Sequence, residues 1–221
     1  MPLHDDTHAH LLAHHRDFAA FADVMVATYR RRFDAVFWGV VSEYAPPEPR
    51  RVIDLGTGPG LLLEDLASRF PDAEIVGVDA QPEMLARARE TVAALPRARL
   101  VEHDLAVPPI AELEAGGADL VIASMLLHEM QVPTRLLDEI ARLLRPGGVL
   151  ILYDWMRQPL ERYAESVRPE TLDQYTHFSE HCRYTAEDLA WLTERSGFKM
   201  LEWMTRRSGR HAMLVAERAG A

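Results

Sequence analysis

The sequence predicts an α/β fold: a seven-stranded sheet with helices on both faces and an antiparallel last strand, preceded by a helical N-terminal extension. Three observations predict it. From residue 51 onward, short apolar runs alternate with amphipathic stretches, as in consecutive βα units of a parallel sheet. The first apolar run leads into a glycine-rich turn that opens a helix. Two extended runs joined by a short polar linker close the sequence and indicate an antiparallel hairpin.

The acidic composition argues against some classes of partner. The 221 residues carry a formal net charge of -10, whereas binding a polyanion requires a basic surface, so nucleic acid is not expected as a partner. No apolar run approaches the roughly 20 residues of a membrane-spanning helix, and no secretory signal pattern opens the sequence. We therefore expect a cytoplasmic protein without a membrane partner. Its single cysteine, Cys182, cannot form an internal disulfide.

The region 1–50 is predicted to form the helical extension. Its apolar residues recur every three or four positions and line one helix face. They are Phe18, Phe21, Met25, Tyr29, Phe33, Val36 and Val40. A proline-rich stretch at 46–49 ends the helix, because proline removes backbone donors. We expect this face to cover the domain of residues 51–217 as a lid; a homodimer through it is the alternative.

The core elements follow in order along the chain. Strands are predicted at residues 51–55, 74–78, 99–102, 119–124 and 149–153, and helices at 60–70, 82–95 and 133–144. The run from Arg145 to Gly148, with a proline and two glycines, predicts a turn between the third of these helices and the next strand.

The C-terminal part of the chain has a different pattern. Residues 158–183 form an irregular, partly helical insert, after which Thr185 and Asp188 resemble a capping box that opens a helix closed by Gly197. Strands are predicted at 199–205 and 211–216. The sheet should therefore end in antiparallel strands.

The stretch from Val52 to Gly60 carries the strongest functional signal. A strand ends in Asp54 and enters a turn with glycines at 56, 58 and 60. Glycines permit a tight turn and let a ligand approach the backbone closely, and Asp54 could face a ligand ammonium group. The alternative is an ordinary strand-to-helix turn.

The next two strands also end in acids. Asp79 follows the second strand about 20 residues after the glycine turn, where a carboxylate can accept hydrogen bonds from both ribose hydroxyls. Asp104 follows the third strand and would lie within reach of an adenine amino group. Acids at strand ends also cap helices, so this is the alternative interpretation of Asp104.

With these motifs the sequence resembles the class I S-adenosylmethionine-dependent methyltransferases, which have a Rossmann-like sheet. The resemblance extends from Arg51 to about Ala216 and includes the loop from Leu144 to Leu150 before the fifth strand. It implies S-adenosylmethionine as the cofactor and methyl transfer to an oxygen or nitrogen of a small molecule as the reaction. The glycine loop would hold the methionine part, Asp79 the ribose, and the residues after it the adenine. The implied cofactor-binding residues are Asp54, Gly56, Thr57, Gly58, Gly60, Asp79, Ala80, Met84, Asp104, Leu105 and Ser124.

Two other functions remain open. A dinucleotide oxidoreductase also places a glycine turn before a ribose-binding acid, but its fingerprint requires glycine or alanine where this sequence has Leu61. A non-catalytic S-adenosylmethionine-binding regulatory domain would keep the same nucleoside pocket without turnover.

Acceptor-binding residues are expected in the loops after the fourth and fifth strands and in the insert. His128 is a candidate catalytic base, and the alternative is a structural histidine that ties its loop to the neighbouring element. Trp155 and Arg157 could contact the acceptor; an Asp154–Arg157 surface pair is the alternative. Within the insert, the acceptor candidates are Tyr175, His177 and Phe178.

No metal is expected. The spacing of His177, His181 and Cys182 lacks the paired pattern of a structural zinc site.

Overall fold

The computed structural model describes residues 17–159, 171, 183–207 and 209–220. The elements in chain order are α1 Phe18–Arg32, α2 Ala35–Tyr44, β1 Arg51–Leu55, α3 Leu61–Arg69, β2 Glu74–Asp79, α4 Pro82–Val92, β3 Ala98–Glu102, β4 Ala118–Ser124, a 3-10 turn Leu127–Glu129, α5 Pro133–Leu143, β5 Leu144–Trp155, α6 Ala186–Arg195, β6 Phe198–Arg206 and β7 His211–Arg218.

The strands form one seven-stranded sheet in the order β3-β2-β1-β4-β5-β7-β6. Strands β1 to β5 pair in parallel, whereas β7 runs antiparallel to both β5 and β6. The predicted Rossmann-like fold with its antiparallel last strand is confirmed. The strand order changes direction between β1 and β4, so the crevice at the carboxyl ends of these strands is the expected ligand position.

The N-terminal region differs from the prediction of one continuous apolar stripe. The first helix ends at Arg32. Asp34 then starts a second helix by accepting hydrogen bonds from the backbone N–H groups of Val36 and Phe37. The break rotates the second helix, so that Val36 is 49% exposed while Phe37 is completely buried. The expectation that Val36 faces the core is therefore wrong.

Strand β5 also starts earlier than expected. The run from Arg145 to Gly148, predicted as a turn, belongs to β5, because Leu144 already pairs with Ala118 before a register shift. Gly147 lies within this register shift and has a φ of 73°, which glycine adopts without strain.

The apolar core has a layer on each face of the sheet. One layer joins α2 and α3 to the face that carries Ile122, Ile151 and Met213. The other layer joins α5 and α6 to the opposite face. The predicted capping box of α6 is present: Thr185 accepts from the N–H of Asp188, whose carboxylate accepts from the N–H of Thr185. In the described ranges, no helix is long and apolar enough to cross a membrane.

Candidate active site

The glycine turn after β1 has the conformation that its sequence requires. Gly56, Gly58 and Gly60 have φ values of 71°, 54° and 79°, in the left-handed region that glycine adopts without strain. The N–H groups of Gly56 and Thr57 donate to the carbonyl of Val78 at 2.9 and 3.0 Å, which ties the turn to β2. The turn therefore lies rigidly at the carboxyl edge of the sheet.

Asp54 is buried at the base of this turn. Its Oδ2 accepts a hydrogen bond of 2.7 Å from the hydroxyl of Thr57, and only 2% of the residue is exposed. Burial, together with the nearby negative charge of Asp79, outweighs that hydrogen bond and raises the pKa of Asp54 to about 7. A ligand cation would restore the charged form of this carboxylate.

Asp79 connects the glycine turn to the loop after β2. Its Oδ2 accepts from the N–H of Gly58 at 2.8 Å, and its Oδ1 accepts from the N–H of Gln81 at 2.9 Å. Burial raises its pKa although these backbone hydrogen bonds act in the opposite direction. The backbone N–H of Ala80 also donates to this carboxylate. A carboxylate has about four lone-pair positions, so one remains for a ligand hydroxyl.

Helix α1 covers the turn. Its Tyr29 hydroxyl donates to Asp65 of α3 at 2.6 Å, and its Asp23 forms a 2.6 Å ion pair with Arg87 of α4. The side chain of Met25 lies so close to Gly58 that a Cβ atom there would be 2.6 Å from the methionine Cε. The helix is thus held directly over the glycine turn.

A cleft lies between α1 and the turn, open to solvent and with about 360 Å³ of empty space. Asp54 and Arg32 both line it. The Arg32 Nη2 donates to the carbonyl of Met25 at 2.9 Å, while its buried Nε has no hydrogen-bond partner among residues that the structure describes. Sequence analysis missed Arg32, since a basic residue at the end of a helix is common. The lining residues are Met25, Tyr29, Arg32, Phe33, Asp54, Gly56, Thr57, Pro59, Leu61, Leu62 and Ser124.

Three polar side chains follow on the same face of the sheet, and we call them the polar row: Ser124 of β4, Tyr153 of β5 and His211 of β7. Ser124 pairs with Tyr153 in the strand register, and Trp155 pairs with His211, so alternation places all of them on the α2-covered face. Within the part of the chain that the structure describes, the buried Ser124 Oγ, Tyr153 Oη and His211 Nδ1 lack hydrogen-bond partners. A buried polar group without a hydrogen-bond partner lowers the free energy of unfolding by about 1–3 kcal/mol. Sequence analysis did not place Tyr153 or His211 in the site.

His128 lies among carboxylates. Its Nδ1 is 2.6 Å from Oδ1 of Asp154, and its Nε2 is 3.2 Å from Oε1 of Glu129. Burial alone would lower the pKa of His128, but the two carboxylates outweigh it and raise the pKa to about 10. The imidazole is therefore protonated at neutral pH and acts as a donor. Its predicted catalytic role stays a prediction, and these contacts resemble the structural alternative more closely.

The remaining predicted cofactor residues lie at the expected edge. Asp104 accepts a 2.9 Å hydrogen bond from the N–H of Ala106 in its own turn and caps no helix, because the described residues 103–117 contain none. Met84 and Leu105 are 3% and 7% exposed, and Ala80 is half-buried. Their proposed contacts with adenine stay predictions.

The predicted acceptor residues separate into two groups. Trp155 stacks on His211 with ring centroids 4.2 Å apart. Arg157 is largely exposed and forms an ion pair with Asp188 at 3.8 Å. Among the described ion pairs there is none between Arg157 and Asp154, so that alternative is wrong. Asp154 instead accepts from His128 and from the N–H of Leu127.

The second group, Tyr175, His177 and Phe178, lies outside the described residues, as do His181 and Cys182. Across the residues that the structure describes, no three His, Cys, Asp or Glu side chains are arranged to hold a metal ion.

Comparison with known proteins gives consistent matches. The sequence profile of the family described as "Methyltransferase domain" matches residues 27–202. A trans-aconitate 2-methyltransferase of Variovorax paradoxus is 39% identical over 127 residues, which are 56% of this chain and 46% of that protein. A malonyl-[acyl-carrier protein] O-methyltransferase of Legionella pneumophila is 31% identical over 138 residues, 62% of this chain and 45% of that protein. Among solved structures, a SAM-dependent methyltransferase from Aquifex aeolicus superimposes with a TM-score of 0.72 at 20% identity, covering 92% of this chain and 99% of that one.

The sheet order and the glycine turn define the fold of the class I S-adenosylmethionine-dependent methyltransferases. The profile match extends over most of the sequence, and the chain therefore belongs to the methyltransferase domain family. The chain spans about half the length of the curated relatives it matches.

Proposed function

We propose that the chain is an S-adenosylmethionine-dependent methyltransferase that methylates an oxygen or nitrogen of a small-molecule acceptor. The carrying observation is the pair of opposite charges in the cleft beside the glycine turn. Asp54 and Arg32 both line this cleft, and the Arg32 Nε has no partner there. An amino-acid tail has the complementary charges, with its ammonium group facing Asp54 and its carboxylate facing Arg32.

The neighbouring loop fits a nucleoside. Asp79 holds the turn through the N–H of Gly58 and keeps one lone-pair position for a further donor. Gly56 lines the cleft and presents backbone without a side chain to a ligand, while the missing side chain at Gly58 leaves room for Met25 of α1. Sugar hydroxyls at Asp79 and an amino-acid tail at Asp54 together match S-adenosylmethionine.

When bound, S-adenosylmethionine supplies a methyl group on a positively charged sulfur, which a nucleophile takes by in-line displacement. The task of the chain is therefore to hold the reactants in line and to exclude water. Helix α1, tied to α3 by Tyr29 and to α4 by Asp23, covers the cleft for this purpose. Because His128 is protonated at neutral pH, it serves as a hydrogen-bond donor that positions the loop after β4.

Two relatives support the choice of a small or carrier-bound acceptor. They are named for trans-aconitate and for the malonyl group of acyl-carrier protein. The net charge of -10 agrees with an acceptor other than nucleic acid.

Calorimetric titration of the full chain with S-adenosylhomocysteine and with NADH tests the proposal. We expect S-adenosylhomocysteine to bind and NADH not to bind. Asp79→Asn should weaken S-adenosylhomocysteine binding about tenfold or more, because an amide replaces one acceptor oxygen with a donor. Binding of NADH alone would refute the proposal in favour of an oxidoreductase.

The matched control is Asp72→Asn, which makes the same change at an exposed residue before β2. It should bind S-adenosylhomocysteine as the wild type does. If Asp79→Asn folds correctly and keeps wild-type affinity, the nucleoside site is assigned to the wrong residues. Tight binding without turnover of any acceptor would identify a regulatory domain instead.

A further inference from the structure

The polar row of Ser124, Tyr153 and His211 contains buried polar atoms without hydrogen-bond partners in the described part of the chain. Buried polar atoms in native proteins nearly always have a hydrogen-bond partner. The Ser124 Oγ, the Tyr153 Oη and the His211 Nδ1 lie on the neighbouring strands β4, β5 and β7, and the described ranges offer none of them a partner. Their common face and position indicate a ligand that supplies the partners together.

Aromatic packing fixes the orientation of this row. The ring of His211 lies 5.6 Å from that of Tyr153 and 4.2 Å from that of Trp155, measured between centroids. On its other side, the ring of Tyr153 is 6.2 Å from that of Phe37 of α2. Packing therefore holds the hydroxyl and imidazole groups in place before a ligand binds, which lowers the entropic cost of binding.

Positive charge surrounds the row in an otherwise acidic chain. Arg206 lies 5.3 Å from the Tyr153 ring but is paired with Asp34 at 2.5 Å. Arg207 donates to the backbone carbonyl of Arg31, and Arg210 donates to the backbone carbonyl of Arg207. Within the described ranges, neither arginine forms an ion pair with a carboxylate. Burial and these arginines lower the pKa of His211 to about 4, although Asp154 acts in the opposite direction, so the imidazole is neutral.

The row adjoins the proposed cofactor cleft. Ser124 belongs to both, since it lines the cleft with Asp54 and pairs with Tyr153 in the strand register. A group bound to Tyr153 and His211 would therefore lie next to the wall of the cleft that carries Ser124.

We propose that the polar row binds a carboxylate group of the methyl acceptor. This inference rests on the proposed function and names the chemical class of acceptor that the same site takes. The hydroxyls of Ser124 and Tyr153 and an N–H at Nδ1 of His211 donate to the carboxylate oxygens. Arg207 and Arg210 supply the compensating positive charge, which also disfavours cationic acceptors.

Binding of small carboxylates to the full chain loaded with S-adenosylhomocysteine tests this inference. The probes are acetate, succinate, benzoate and citrate, each compared with its uncharged amide by calorimetry or ligand-observed NMR. We expect at least one carboxylate to bind about tenfold or more tightly than its amide. Tyr153→Phe should lose about tenfold of that affinity, whereas Tyr44→Phe, the same change outside the row, should lose none.

A stability measurement separates a ligand-binding hydroxyl from a structural one. Because the Tyr153 hydroxyl has no partner among the described residues, Tyr153→Phe should leave the unfolding midpoint unchanged or raise it. A lower midpoint would indicate a structural hydroxyl and would contradict the inference. Arg207→Gln provides a second variant and should weaken carboxylate binding without changing affinity for S-adenosylhomocysteine.

The outcomes distinguish this inference from the function on which it rests. If the wild type does not bind S-adenosylhomocysteine, the proposed function fails. If it binds S-adenosylhomocysteine but prefers no carboxylate over its amide, or if Tyr153→Phe and Arg207→Gln keep wild-type carboxylate affinity, only the present inference is overturned.

Discussion

The imidazole Nδ1 of His128 lies 2.6 Å from Oδ1 of Asp154, the residue that directly follows Tyr153 of the polar row. Strand alternation directs Asp154 to the opposite face of β5 from Tyr153. The other oxygen of Asp154 accepts hydrogen bonds from the N–H groups of Leu127 at 2.6 Å and of His128 at 3.3 Å. One carboxylate thus fixes the loop after β4, while the neighbouring residue on the same strand faces the proposed acceptor site.

The first prediction concerns the pH dependence of this ion pair. The pKa of His128 is raised from 6.5 to about 10, so the folded protein binds the proton more tightly than the unfolded chain. The resulting stabilisation is fully present below pH 6.5 and is lost as the pH rises through about 10. His128→Gln should cost about 3–5 kcal/mol of unfolding free energy at pH about 6 and clearly less at pH about 9.5.

Urea unfolding at the two pH values measures this difference. His103→Gln is the control, because His103 is a partly buried histidine on the loop after β3, away from Asp154. A penalty for His128→Gln that stays equal at both pH values would show that His128 is not held in its protonated form.

Local sequence patterns were sufficient for the sheet and for the glycine turn. Asp54 and Asp79 end strands whose apolar residues are continuous, and the glycines between them have the positive φ values that their sequence indicated. These features depend on neighbouring residues, which a sequence displays directly. The break before α2 was not predicted, although Asp34 before an apolar run is a helix-start signal.

Arg32 was missed because a basic residue at the end of a helix is common. Tyr153 and His211 were missed for a different physical reason. Their significance depends on which strand faces are neighbours, and β5 pairs with β7 rather than with the strand that precedes β7 in the chain. In the sequence, Tyr153 resembles an ordinary core residue. Only the pairing of β5 with β7 shows that it lies beside His211 and that its hydroxyl has no partner among the described residues. Long-range register of this kind has no local signature.

The second prediction concerns Asp119, which joins the start of β1 to β5. Its Oδ2 accepts from the N–H of Arg50 at 2.8 Å and of Arg51 at 3.1 Å, and its Oδ1 accepts from Nε of Arg145 at 2.6 Å. Burial alone would raise the pKa of Asp119, but these hydrogen bonds outweigh it and lower the pKa. The stabilisation is therefore present above the unfolded value of 3.8 and is lost as the pH falls through the lower folded value.

Asp119→Asn should accordingly destabilise the protein at pH 7 by about 1–3 kcal/mol, and the difference should shrink toward pH about 3. Urea unfolding followed by circular dichroism measures it. Asp138→Asn, at an exposed position of α5, should have no comparable effect. An Asp119→Asn penalty that persists unchanged at low pH would contradict the assigned charge.

The third prediction concerns Asp54, whose pKa is raised to about 7. The folded state binds this proton more tightly than the unfolded chain, so the stability of the free protein falls as the pH rises from 3.8 through about 7. Asp54→Asn should remove that loss and make the free protein more stable than the wild type at pH about 8, by an amount that vanishes at low pH.

Ligand binding should show the opposite dependence on pH. An ammonium group binds the charged form of Asp54, so S-adenosylhomocysteine affinity of the wild type should rise by up to about tenfold between pH 6 and 8, with proton release. Calorimetry in two buffers of different ionisation enthalpy counts the released protons. In Asp54→Asn the affinity should be lower and its pH dependence weaker. An unchanged pH dependence in the variant would assign the titration to another group, such as Asp79.

The fourth prediction separates the conformational and steric roles of Gly58. With a φ of 54°, an alanine there is strained, and its Cβ would lie 2.6 Å from Cε of Met25. Gly58→Ala should cost about 1–2 kcal/mol in unfolding free energy and weaken S-adenosylhomocysteine binding about tenfold or more. Gly39→Ala is the matched control, because Gly39 lies within α2 with nothing within 4 Å of the added Cβ, and it should stabilise the protein by about 1 kcal/mol.

The double variant Gly58→Ala with Met25→Ala decides which role matters for binding. Removing the methionine side chain relieves the contact with the new Cβ, so part of the lost stability should return. The affinity for S-adenosylhomocysteine should stay low, because the methyl group still occupies the surface that the ligand approaches. If the double variant instead binds as tightly as Met25→Ala alone, Gly58 serves only to accommodate α1, and close approach of the ligand to this backbone is not required.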